Sequence, residues 1–203
     1  MIEASFVSLC RRYDRLPTEV ECVAEAIGRD VLTRGKAWIC GGSVRRAITG
    51  QESRADIDIY TTGDAAADEV ADALLKAGFE RVKSVRKNTV FRSADAKRFG
   101  RAVLIDLSRR VFHPSPEECI NSFDYTICQF ALFYDGDDLK VIHTVEAIHD
   151  LINGVLMPVP DGIKSGEQMR LSLMRATKYF NQGFIITPQA LATMAEISAA
   201  VEG

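Results

Sequence analysis

A chain of 203 residues is long enough for one good-sized core, or for one domain with an appended helical piece. Its apolar fraction of 47% and charged fraction of 26% are those of an ordinary globular protein, and no run approaches the length of a membrane-spanning helix. A net charge of −3 disfavours indiscriminate coating of nucleic acid.

The opening MIEASFVSLCRRYD has no basic segment leading into an apolar run, so it does not read as a signal peptide. A cytoplasmic protein with no membrane partner is the expectation. The five cysteines form no CxxC pair and the three histidines lack metal-site spacing, which points to reduced, mostly buried thiols.

Residues 1–35 are expected to be helical, with Thr18 ahead of Glu19 and Glu21 as a helix start after Pro17. Ala37–Cys40 is a short apolar strand that runs into Gly41-Gly42. Ser43 then opens a short helix that Gly50 stops. Ala55–Tyr60 alternates acid with aliphatic residues, a strand pattern. Ala65–Ala77 is an amphipathic helix closed by Gly78. Phe79–Ser93 and Arg101–Ser108 read as two strands joined by a polar, basic turn. Ile120–Phe133 begins as helix or loop and ends in a strand. The turn Asp135–Asp138 and the strand LKVIH complete a hairpin. Ala147–Asn153, Glu167–Phe180 and Pro188–Val201 read as helices. The expected fold class is α+β, with a mixed or antiparallel sheet of about five strands flanked by helices and with helical ends. The expected division is a helical segment over 1–35, a catalytic head over 36–160 and a neck-like helical segment over 161–203.

Chemistry concentrates in Asp56-Ile57-Asp58-Ile59-Tyr60. Strand side chains alternate faces, so Asp56 and Asp58 share one side while Ile57 and Ile59 point to the core. Neighbouring carboxylates resist joint ionisation unless a cation sits between them. Mg²⁺ is the natural candidate, with Mn²⁺ an alternative, because it takes oxygen ligands and leaves positions for phosphate. A DID sequence on a solvent-facing edge is also common decoration. The upstream context favours the metal. Gly41-Gly42-Ser43 follows a strand and opens a helix, where glycines admit an anion and free N–H groups receive it. Ser43 adds a hydroxyl and Arg45 a cation. Asp106 lies inside the aliphatic run Val103–Leu107, where a charge needs a reason. Beside Asp56 and Asp58 it would complete a set able to serve two metals; otherwise it faces solvent or pairs with Arg109.

The stretch Arg81–Arg110 carries ten basic residues against Asp95 and Asp106. Charge alone leaves two readings open: a polyanionic ligand at one place, or a solvated strand pair whose edge is protected by Lys and Arg.

These motifs resemble the polymerase-beta superfamily of nucleotidyltransferases, and within it the head of class II CCA-adding enzymes and bacterial poly(A) polymerases. GGSVRR followed by ADIDIY is similar to that family's GGxVRD and DID. Asp124-Tyr125-Thr126-Ile127 is similar to the centre of RRDFTINA. Tyr134-Asp135-Gly136 and the run His149–Leu156 resemble its YD…DLxxGxI segment. Glu167-Gln168-Met169-Arg170 resembles its base-reading EDxxR helix. The similarity is collinear over about residues 37–185.

The resemblance implies a metal-dependent enzyme that moves a nucleotide from an NTP to a hydroxyl acceptor and releases pyrophosphate. Asp56, Asp58 and Asp106 would be the catalytic and metal residues. Gly41, Gly42, Ser43 and Arg45 would hold the triphosphate, and Asp124, Glu167 and Arg170 would touch sugar and base. An RNA 3′ end is the first acceptor it suggests; a small molecule, a protein side chain, or a non-catalytic NTP-sensing role are the alternatives. Several positions differ from the family pattern. Arg46 stands where the family has Asp, Ser122 and Phe123 replace paired arginines, and Glu167 replaces the template Asp.

Overall fold

The structure is a computed structural model that describes residues 1–10, 18–51, 56–85, 88–93 and 102–202. Its frame is an eight-stranded sheet of strands β1 (Ile2–Ser5), β2 (Ala37–Cys40), β3 (Ile57–Thr61), β4 (Phe79–Val85), β5 (Asn88–Ser93), β6 (Leu104–Leu107), β7 (Phe130–Asp135) and β8 (Asp138–His143). Their order is β1-β8-β7-β2-β3-β6-β5-β4. Every pairing is antiparallel except that of β3 with β6. The helices among the described residues are α1 (Phe6–Leu9), α2 (Glu19–Ile27), α3 (Gly42–Thr49), α4 (Asp64–Lys76), α5 (Pro116–Asn121), α6 (Val145–Asn153), α7 (Gly166–Phe180) and α8 (Pro188–Glu202). This is an α+β architecture, and the sheet is wider than the five strands expected from sequence.

Two of the extra strands come from segments whose sequence reads otherwise. Residues 1–35 were expected to be helical, yet Ile2–Ser5 is an edge strand paired with β8. Four residues with little β-branching carry almost no strand signal, and here pairing with a neighbour decides the conformation. Phe79–Ser93, expected as one strand, is the hairpin β4–β5. It contains neither Gly nor Pro, the residues that mark a turn in sequence. The expected basic turn between Ser93 and Arg101 lies outside the described residues.

Helix α2 starts where the sequence indicates. The Thr18 hydroxyl accepts from the Glu21 N–H at 3.3 Å, and the Glu21 carboxylate accepts from the Thr18 N–H at 2.7 Å. This reciprocal pair satisfies two otherwise orphaned donors.

One sheet face packs against α2, α3 and α4. Its core includes Val23, Ile39, Val44, Ile57, Ile59, Leu74, Ile105 and Leu107. The opposite face holds a smaller cluster in which Trp38, Cys40, Ala131 and Phe133 meet Cys119 and Ile120 of α5. A third cluster ties the segment Tyr125–Cys128 to α7 and α8 through Met169, Ala176, Tyr179, Phe184, Met194 and Ile197. Along α7 the buried positions are Met169, Ser172, Ala176 and Tyr179, the three-and-four spacing of one helical stripe. The chain comes very close at Gly162, where an added Cβ would lie 2.2 Å from the Phe123 carbonyl oxygen. No side chain larger than hydrogen fits there without moving the backbone that precedes Asp124.

Candidate active site

The central strand β2 delivers the chain to Gly41, whose φ of 80° and ψ of −148° set the turn into α3. A side chain is strained at this φ, which is why glycine stands at this joint. The Gly41 N–H donates to the Phe130 carbonyl at 2.9 Å, pinning the loop to β7. A Cβ on Gly41 would stand 4.0 Å from Asp58 Oδ2 and 3.8 Å from the Phe123 ring. The glycine loop, the first aspartate strand and Phe123 therefore border the same space. The Ser43 hydroxyl is turned back, donating to the Cys40 carbonyl at 3.2 Å.

Strand β3 alternates as its sequence requires. Ile57, Ile59 and Thr61 are buried, while Asp58 and Tyr60 lie on the other face, half-buried. Strand β6 runs parallel beside it, with Asp58 opposite Asp106, and Ile105 and Leu107 facing the core. Two carboxylates thus share one face of adjacent strands. Asp56 precedes β3 and is exposed. It lies close enough to raise the proton affinity of both Asp58 and Asp106.

The electrostatics reflect crowding. Burial, then Asp106, then Asp56 push the Asp58 carboxyl up to about 7, against the opposing pull of Lys178 and Arg46. Burial also raises Asp106, partly offset by a hydrogen bond from Asn88. Asp106 Oδ1 is buried with no hydrogen-bond partner among the described residues. A buried, unpartnered carboxylate oxygen is costly and calls for a cation or donor. Arg109, the alternative partner, points elsewhere, to Asp68 at 2.7 Å and Asp64 at 3.8 Å on α4.

Among the described residues, no group of three His, Cys, Asp or Glu side chains could hold a metal by itself. What the fold offers is the pair Asp58 and Asp106 with Asp56 at its margin. That fits Mg²⁺, which commonly takes one or two protein carboxylates and fills its remaining positions with water and phosphate oxygens.

The two arginines of the VRR run both border Gly42 and differ in what else they touch. Arg45 is fully buried, its guanidinium donating to Gln182 Oε1 at 2.7 Å. It also lies 5.3 Å from the Tyr179 ring centroid and 5.0 Å from that of Phe184. Arg45 thus joins the sheet domain to the C-terminal helices by cation–π and hydrogen-bond contacts. Arg46 folds over the start of α3, where a Cβ on Gly42 would lie 3.1 Å from its Nη1 and 3.7 Å from Arg45 Nη2. Spacing could have signalled this. Helical side chains lean towards the N-terminus, so the residue four after Gly42 covers it.

The residues of the third cluster are satisfied. Asp124 is buried and accepts from Ser172 Oγ and Arg175 Nη1, each at 2.6 Å. The Tyr125 hydroxyl donates to the Ser172 carbonyl at 2.9 Å, and Thr126 Oγ1 donates to Asp150 at 2.7 Å. Glu167 and Arg170 are exposed on α7, with Arg170 Nη1 3.4 Å from Met174 Sδ. Sequence reasoning missed Lys178, one turn beyond Arg175, whose charge acts on Asp58. It also missed an aromatic group beside the loop: the Tyr60 ring lies 5.8 Å from Phe123 and 5.7 Å from His113.

Several basic residues of the Arg81–Arg110 stretch, including Lys97, Arg98 and Arg101, lie outside the described residues. Of those described, Arg92 pairs with Glu80 at 3.2 Å and Arg109 with α4. Among the described residues no helix is long and apolar enough to cross a membrane.

A mostly antiparallel sheet with a glycine turn into a helix and in-register aspartates on its one parallel pair of strands is the polymerase-beta-type nucleotidyltransferase fold. Solved structures bear this out. The Thermotoga maritima CCA-adding enzyme complexed with tRNA is similar at a TM-score of 0.66 and 18% identity, over 97% of this chain and 46% of that one. A CCA-adding enzyme in complex with ATP is similar at 0.68 and 19%, over 97% and 46%. An apo tRNA-processing enzyme is similar at 0.63 and 19%, over 93% and 49%. The chain therefore spans a little under half the length of these structures. Residues 16–153, more than half of the chain, match the model of the Gabija anti-defense 2 family, and the chain belongs to that family. No curated protein matches the sequence.

Proposed function

We propose that this chain is a Mg²⁺-dependent nucleotidyltransferase that moves a nucleotide from an NTP to a hydroxyl acceptor with release of pyrophosphate. The observation that carries the reading is the in-register pair Asp58 and Asp106 beside the Gly41 turn, with one buried Asp106 oxygen lacking a partner. In this reading Asp58 and Asp106 hold Mg²⁺, with Asp56 at the margin. The ion supplies charge neutralisation at the phosphates and lowers the cost of a developing alkoxide.

The chain's own residues position the reactants. The backbone donors at the start of α3 receive the triphosphate. Asp106 orients the acceptor hydroxyl and receives its proton as the new bond to the α-phosphorus forms and the bond to the pyrophosphate oxygen breaks. The rest of the rate enhancement is alignment and electrostatics.

An RNA 3′ end is the acceptor suggested by the likeness to a CCA-adding enzyme complexed with tRNA. Membership of an anti-defense family favours a second reading, in which the hydroxyl belongs to a protein of the Gabija defence. Incubation of the full chain with Mg²⁺, each α-labelled NTP, cellular RNA and Gabija-bearing cell extract tests both. Label that is lost on nuclease treatment supports RNA, and label that survives nuclease but not protease supports a protein. Absence of label in any macromolecule or small metabolite would refute nucleotidyl transfer.

A further inference from the structure

Arg46 is 8% exposed and makes no hydrogen bond or ion pair among the described residues. Its guanidinium lies over Gly42 at the entrance to α3. A guanidinium carries five donors; those of Arg46 are unused within the fold and keep an opening to solvent, so they are free to meet a ligand. Asp58 attracts it without a hydrogen bond, and fully buried Arg45 repels it. The place it covers is also where helix N–H groups and two glycines converge, so an anion there would satisfy both at once. Lys178, on the exposed side of α7, adds a positive charge that acts on Asp58.

We propose that Arg46, assisted by the charge of Lys178, grips the terminal phosphates of the bound NTP, and that Arg45 serves chiefly as a structural link to α7. The identity of the polyphosphate rests on the nucleotidyl-transfer reading. The grip itself does not, since any linear polyphosphate meets the same donors. Because two side-chain cations supply charge that a metal would otherwise have to supply, part of the binding persists without divalent ions. Because phosphate carries no base information, the contribution is the same for all four NTPs.

The test is calorimetric titration of the full chain with sodium tripolyphosphate and with each NTP, in EDTA. Wild type is expected to bind tripolyphosphate. Arg46→Ala should weaken binding by about ten- to a hundredfold, the scale of a lost charge-assisted contact. Arg46→Lys should recover part of it. Lys178→Ala, at an exposed position that the fold does not need, should weaken it by a smaller factor. The factor for Arg46→Ala should be equal across the four NTPs.

Undiminished tripolyphosphate affinity in a folded Arg46→Ala variant, or no binding by wild type, would overturn the proposal. If Arg46→Ala does not fold, Lys178→Ala decides, and unchanged affinity there overturns it. Neither readout requires catalysis. Wild type that binds through Arg46 yet never transfers a nucleotide would sink the transfer reading alone. Wild type that transfers while Arg46→Ala binds normally would sink this proposal alone.

Discussion

Two acidic centres lie within this fold, and they are built in opposite ways. Asp124 is buried with both of its partners in place, Ser172 and Arg175 at 2.6 Å. Asp58 and Asp106 are crowded together, one forced up to about 7 and the other with an unpartnered oxygen. A satisfied buried charge holds structure together, whereas an unsatisfied one costs stability and persists where a ligand completes it. The arginines repeat the contrast only in part: Arg45 reaches Gln182, Tyr179 and Phe184 yet keeps its buried Nε without a hydrogen bond, and Arg46 has no partner among the described residues.

Substitutions should separate the two centres, and the largest effect is expected at the unsatisfied one. Asp58→Asn or Asp106→Asn should lower transfer by about a hundred- to a thousandfold or more, the scale of losing one group that stabilises developing charge. Circular dichroism should show the fold intact. Near-normal turnover in either variant would remove these carboxylates from the mechanism.

At the satisfied centre the loss should fall on stability. Asp124→Ala strands Ser172 and Arg175 and should cost about 2–3 kcal/mol, read as a lower urea midpoint. An unchanged midpoint would mean that the Asp124 network does not hold α7 in place.

Asp58 makes the contrast pH-dependent. Its folded pKa, about 7, lies above the ordinary 3.8, so the native state holds the proton longer than the unfolded chain does. Stability from this group is present at low pH, declines as pH rises from about 4 to 7, and is flat above. Asp58→Asn removes that decline and should stabilise the metal-free protein by about 1–2 kcal/mol at pH 8, with no gain near pH 4. A gain that is the same at both pH values would contradict the crowding account.

The smallest effects are expected at Glu167 and Arg170, both exposed. Alanine at either position should change stability by no more than about 0.5 kcal/mol. Any loss of turnover should appear as altered preference among NTPs. A uniform loss for all four would place these residues in phosphate binding instead.

Much of the aspartate edge was legible in sequence. The alternation in Asp56–Tyr60 places Asp58 away from the core, and the charge within Val103–Leu107 marks Asp106 as unusual. Their adjacency was not legible, because it depends on β6 entering the sheet parallel to β3. The division of labour between Arg45 and Arg46 was likewise hidden. Both follow the glycines within one or two turns, and only the packing of Tyr179 and Phe184, more than a hundred residues away, selects which one is enclosed. Thr18 was readable because a capping box is local. The strand Ile2–Ser5 was not, because its pairing partner Asp138–His143 lies more than a hundred residues away in sequence.

The central claim is tested most directly by pyrophosphate stoichiometry. The full chain is incubated with Mg²⁺, an α-labelled NTP and its acceptor extract, alongside Asp58→Asn and Asp106→Asn at equal folded concentration. The account predicts one pyrophosphate released for each label transferred by wild type, and neither product from the variants. Label transfer that proceeds equally in the variants, or NTP consumed without transfer, would contradict it.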